Sequence, residues 1–174
     1  MLPNDGFMQI VDSFPYLGDV IARNGGDACA VDARISSGCK AFGALRGCIF
    51  SSSSISTAAK RAVYQAIVIS ITLYGCEMWS LTEALYDRLR VMQAGHFRAM
   101  LRITRKHTWE HHISTQALGQ QLGLVPIDLC VARRQLRWLG HTRRMDFDFS
   151  RLACPHVACS RRGCRTLVRR VRPP

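Results

Sequence analysis

Residues 62–74 constrain this chain more than any other stretch. Val63, Tyr64, Ala66, Ile67, Val68, Ile69, Ile71 and Leu73 put apolar side chains on nearly every face of a helix. A helix without a polar face must be surrounded, so the run predicts a central element with other helices packed around it. Gln65, Ser70 and Thr72 interrupt it and Glu77 closes it, which leaves it short of the roughly 20 apolar residues that cross a bilayer. Ser56 or Thr57 can cap its start, and Lys60 and Arg61 follow.

The surrounding helices can be read from their spacing. Between residues 27 and 50, Val31, Ile35, Gly38, Phe42, Leu45 and Ile49 recur at four and three residues and make one core-facing stripe. Four serines, Ser51 to Ser54, end it as a polar loop. Ser80-Leu81-Thr82-Glu83 has the pattern of a capping box and predicts a third helix to about Ile103. Leu85, Leu89, Met92, Ala99 and Ile103 form its buried stripe, with His96 on it. A shorter helix over residues 109–122 should end at Gly123, and Pro126 suits the first position of a fifth, to about Met145. In that fifth helix Leu129, Ala132, Leu136 and Leu139 should point inward. Ahead of these helices, residues 11–21 read as extended chain, with turn chemistry at Asn24-Gly25-Gly26. The expected fold is mainly α: about five helices in a bundle, a short N-terminal β-hairpin or strand, and a disordered basic tail. The expected divisions are 1–26, a helical domain over 27–145, and a tail over 146–174.

Charge narrows the partner. Of 24 basic residues 21 are Arg, and the net charge is +12. Arg presents a planar fork suited to phosphate, so a polyanion is the expected partner, nucleic acid first. The surplus is late in the chain. Five Asp stand against one Arg in the first 32 residues, whereas residues 133–174 hold twelve Arg against Asp146 and Asp148. Two rows of basic residues fall off the apolar stripes. Arg88, Arg98, Arg102 and Arg105 share a face of the third helix, and Arg134, Arg137, His141 and Arg144 share a face of the fifth. Both rows should reach solvent and contact phosphates.

Little in the chain suggests chemistry. Polymerase metals need carboxylates set to hold two ions about 3.5–4 Å apart, and no adjacent Asp pair occurs. Asp146 and Asp148 more plainly pair with Arg143 or Arg144. There is no Gly-rich phosphate loop, and no catalytic residue or cofactor is expected. His107 and His111 share a helical face with His112 beside them, but Glu110 precedes the second histidine where a zinc-protease helix needs it after the first. Cys154, His156, Cys159 and Cys164 could supply four zinc ligands at a non-standard spacing. The eight Cys include five scattered among apolar residues, where a thiol acts as a small hydrophobe. The N-terminus lacks the basic and apolar segments of a secretory signal, so a reducing compartment, nuclear or cytoplasmic, is expected.

Several motifs occur in a telling order. They are Phe14-x-Tyr16-Leu17-Gly18-x-x-Ile21, then Arg34-Ile35 with Ala41-Phe42, Lys60 with Tyr64, and Leu73-Tyr74-Gly75-x-Glu77-x-Trp79. Arg98-x-x-Leu101-Arg102-Ile103 follows, and then Leu136-Arg137-Trp138-Leu139-Gly140-His141 running on to Met145. This succession resembles the region downstream of the catalytic palm in reverse transcriptases of non-LTR (LINE-type) retrotransposons. The resemblance implies a thumb-and-linker fragment of an RNA-directed DNA polymerase. Such a fragment would grip a template–primer duplex, RNA–DNA or DNA, through its phosphate backbone while the palm and fingers do the chemistry. The aromatic-Ala-Asp-Asp motif that carries the family's metals is absent, and the chain after Met145 departs from the family pattern. The fragment would therefore be inactive as a polymerase by itself. The alternative is a non-functional structural remnant of a degenerate retroelement copy.

Overall fold

A computed structural model of the chain describes residues 11–23 and 25–152. It divides into two compact units, Met1–Trp138 and Leu139–Pro174. The first unit is helical, with one hairpin ahead of the helices. The described part of the second is the end of the last helix. No described helix is long and apolar enough to cross a membrane.

The hairpin pairs β1 (Ser13–Tyr16) antiparallel with β2 (Asp19–Ala22), Phe14 facing Ile21. The turn between them is Leu17-Gly18, with φ of 48° and 83°. Positive φ at both positions is the type I′ form of a two-residue hairpin loop, whose twist matches that of the strands. Sequence reading put turn chemistry at residues 24–26 instead, because Leu17 is an unusual first residue for such a loop. Tyr74 and Arg34 hold the turn on the helices. Tyr74 donates to Leu17 O at 3.2 Å, while the Arg34 guanidinium donates to Gly18 O and lies 4.4 Å from the Tyr74 ring centroid.

Helix α1 (Ala28–Leu45) passes into a π-helical stretch, Arg46–Phe50. Its predicted stripe faces the core: Val31, Gly38 and Phe42 are buried, and Ile35, Leu45 and Ile49 pack against the buried cluster. The second helix runs as α2 (Thr57–Val63), a π-helical stretch (Tyr64–Ile69) and a last turn, α3 (Ser70–Thr72). Ser56 caps it by accepting from the Ala59 N–H at 3.3 Å. This helix is less enclosed than its composition predicts. Tyr64, Val68, Ile69, Thr72 and Leu73 are buried, but Ala62, Ala66 and Ile67 face solvent. Alanines tolerate exposure, and a continuous apolar run does not reveal which side is covered.

Where α1 crosses α3 the backbones approach closely. A Cβ on Gly38 would overlap Thr72 Oγ1 and lie 3.2 Å from Thr72 Cβ. Beyond α3 the chain reverses at Gly75 (φ 78°) into a short 3-10 turn, Cys76–Met78. It delivers Trp79 to the core, 5% exposed.

Helix α4 (Glu83–Leu101) starts later than the capping-box pattern predicts. Thr82 is the N-cap and makes no side-chain cap; the Ser80 N–H donates instead to Asp27 Oδ2 at 2.6 Å, and the Glu83 carboxylate turns to Arg90. The helix ends at Arg102, which adopts φ 56° while the Ile103 N–H reaches back to Arg98 O. The single helix expected over 109–122 is two. Helix α5 (Arg105–Glu110) is capped by Thr104, and α6 (Thr115–Leu122) is capped by Ser114 and stopped at Gly123.

Helix α7 (Ile127–Leu152) follows Pro126 and continues past the expected stop at Met145. Its orientation differs from the hydrophobic pattern. Leu129, Leu136 and Leu139 are exposed, Leu136 by 69%, whereas Ile127 and Val131 are fully buried. Polar bonding explains the rotation. The Leu73 and Cys76 carbonyls accept only long bonds within the turn, from the Cys76 and Trp79 N–H groups at 3.4 Å, and each oxygen can take a second donor. Arg134 donates to Leu73 O at 3.0 Å, and Gln135 donates to Cys76 O and Trp79 O at 3.1 and 3.0 Å. Gln93 of α4 fixes the entry by accepting from the Ile127 N–H and donating to Val125 O. The proposed zinc ligands Cys154, His156, Cys159 and Cys164, and the tail beyond residue 152, lie outside the described residues.

Candidate nucleic-acid interface

The eight basic residues singled out by spacing separate into two groups by what their side chains already hold. Arg88 pairs with Asp32 across α4 and α1 at 2.7 Å. Arg102 donates to Ser51 O, which ties the end of α4 to the serine loop. Arg134 is half-buried and tethers α7 to the end of α3. These three take part first in the fold's own bonding, although all of them lie in the predicted rows. Sequence spacing locates an arginine on a face but not the carbonyl or carboxylate opposite it.

Arg98, Arg105, Arg137 and Arg144 have no carboxylate partner among the described residues. Arg105, Arg137 and Arg144 are exposed and Arg98 is half-exposed. Arg137 stands on α7 within the first unit; His141 and Arg144, both exposed, belong to the second. Arg98 and Arg105 come together, though not as the one-helix row that spacing suggests. The chain leaves α4 at Arg102 and re-enters helix at Arg105, and the two arginines line one open groove of about 490 Å³ with Lys106, Thr108, Trp109 and Ile113.

Lys106 and Trp109 are the residues that sequence reading passed over. Trp109 is 80% exposed, the most exposed aromatic described. A signal was present. Residues 105–109 place an aromatic beside two cations in a segment with no apolar period, and an aromatic there has no core to fill. Thr108 contributes no free donor, since its hydroxyl donates to Arg105 O at 2.8 Å. Glu110 pairs loosely with Lys106 at 3.6 Å. His107 and His111 share a face as expected, with ring centroids 4.3 Å apart.

The described acids, by contrast, are largely engaged. Arg90 draws Glu83, Asp87 and Asp128 around it, Asp27 accepts from Ser80, and Asp32 holds Arg88. Most of these acids are thus held by partners within the fold, while Arg98 and Arg105 face out with no described carboxylate beside them.

A second titratable cluster runs from the core at His96 and Tyr64 to the exposed Cys39. His96 is 6% exposed and stacks on Phe42 with centroids 4.1 Å apart. Its Nδ1 is 3.2 Å from the Tyr64 hydroxyl and its Nε2 3.8 Å from Cys39 Sγ. Burial pushes the imidazole down to about 4, and burial also raises the Tyr64 and Cys39 groups. The cluster packs and hydrogen-bonds where α1, the second helix and α4 meet.

No protein-family model, curated protein or solved structure matches this chain.

Proposed function

We propose that this chain is a nucleic-acid-binding helical module that grips a template–primer duplex through phosphate contacts and carries no polymerase chemistry of its own. The observation that carries the reading is the convergence of Arg98, Arg105 and Lys106 on one open groove, with no carboxylate held by either arginine among the described residues. Phosphates are the ligands that such a fork-bearing, solvent-facing cluster favours. The reading also draws on the net charge of +12 and on the resemblance to the thumb and linker of LINE-type reverse transcriptases. In that role Arg98, Arg105 and Arg137 make the backbone contacts, while Arg88, Arg102 and Arg134 hold the scaffold. Backbone contacts carry no base code, and an RNA–DNA hybrid and a DNA duplex should both bind, distinguished by groove shape.

The test is the affinity of the full chain for both duplexes across a salt series. Binding that weakens steeply and linearly in log salt supports the proposal. Salt-independent binding, or none, overturns it. A primer-extension reaction with magnesium and nucleotides should match a control without protein.

A further inference from the structure

Phosphate contacts account for Arg98, Arg105 and Lys106, but not for Trp109. An indole 80% exposed on a helix as short as α5 is covered by little of the fold. It also gains little from an intact duplex, whose bases are stacked on one another and offer only edges and phosphates. An unpaired base presents a free face, and stacking on aromatic side chains next to a basic groove is how proteins hold single strands without sequence preference.

We propose that the groove lined by Arg98, Arg105, Lys106, Trp109 and Ile113 holds an unpaired nucleotide at the edge of the bound duplex. The base stacks on the Trp109 indole and the flanking phosphates pair with Arg98 and Arg105. This deepens the duplex-gripping proposal and rests on it for the position of the strand. Three features of the site fit. The groove, at about 490 Å³, lies within the range of roughly 300–1,000 Å³ common for ligand sites. Its cations come from two helices, α4 and α5, with the indole on α5 between Thr108 and Glu110, so base and phosphate can be met together. Ile113 adds an apolar side chain to the lining. Glu110 pairs with Lys106 at 3.6 Å and with neither arginine, which leaves the two arginines to the phosphates.

The experiment compares three DNA probes at one salt concentration: a blunt duplex, the same duplex with an oligo-dT overhang, and oligo-dT alone. The overhang should tighten binding by about tenfold, the scale of one stacked base. Trp109→Ala should abolish that gain and leave the blunt duplex unaffected; Trp109→Phe should keep most of it. The overhang probe should quench tryptophan emission in the parent and not in Trp109→Ala. Equal affinity for blunt and overhang probes overturns the stacking proposal while leaving the duplex reading intact. So does a Trp109→Ala variant that retains the overhang gain, or one that loses blunt binding to the same degree. Failure of the blunt duplex to bind overturns the duplex reading. Oligo-dT then decides stacking separately: quenching lost in Trp109→Ala supports it, and no quenching in the parent refutes it.

Discussion

Replacing Gly38 by Ala adds one methyl group where α1 crosses α3. The new Cβ would overlap Thr72 Oγ1 and sit 3.7 Å from Thr72 Cα. Thr72 is fully buried, and its hydroxyl donates to Val68 O at 2.8 Å. The clash has two outlets. The helices can separate, which costs about 1–3 kcal/mol as overpacking does. Alternatively Thr72 can rotate, which orphans a buried hydroxyl at about 1–3 kcal/mol. Against either stands the better helix propensity of Ala, about 0.5–1 kcal/mol. The net is a loss of about 1–2 kcal/mol, or about 3–6 °C in Tm for a chain of this size. Gly43 is the internal control, because it lies on the same helix with nothing within 4 Å of a Cβ. Gly43→Ala should raise Tm by a degree or two. Thermal denaturation followed by far-UV circular dichroism reads both. Thr72→Ala should relieve part of the Gly38→Ala loss in a double-mutant cycle. A Gly38→Ala protein that gains stability as Gly43→Ala does, with no coupling to residue 72, would refute the close crossing.

Burial of His96 makes stability depend on pH. The unfolded chain takes up this proton near 6.5 and the folded chain only near 4. Stability is therefore full above 6.5 and declines as pH falls toward 4, by up to about 3 kcal/mol, a decline that His96→Phe should remove in urea titrations at pH 7 and pH 5. Trp79→Ala should cost about 3–5 kcal/mol in chemical denaturation, whereas Trp79→Phe should cost far less, since the buried Nε1 has no partner to lose. Gln135→Ala leaves the Cys76 and Trp79 carbonyls without their side-chain donor, and should lower stability by about 1–2 kcal/mol in the same assay.

Much of the helical framework was legible because it rests on local rules. The stripe from Val31 to Ile49, the Ser56 cap and the stop at Gly123 each follow from spacing or backbone chemistry within a few residues. The errors came where a distant polar group decided the outcome. Leu129, Leu136 and Leu139 carry the apolar pattern of α7, yet Arg134 and Gln135 set its rotation by bonding carbonyls some sixty residues earlier. The pattern at residues 80–83 fits a capping box, yet Asp27 takes the Ser80 N–H first. The basic groove was half legible. Arg98 and Arg105 were visible as candidates, but the left-handed turn at Arg102 that brings them beside Lys106 and Trp109 was not. Arg is an uncommon residue for that conformation, so no sequence signal marks it.

The most direct measurement of the central claim is the slope of log affinity against log salt for duplex binding in three single variants. Each phosphate contact removed lowers that slope by about 0.9. Arg98→Ala and Arg105→Ala should each do so with unchanged folding. Arg102→Ala, whose side chain is held by Ser51 O, should lower the melting temperature and leave the slope at the parent value. Parent-like slopes for Arg98→Ala and Arg105→Ala, or a reduced slope for Arg102→Ala alone, would contradict the assignment of the groove as the place where this protein meets the phosphate backbone.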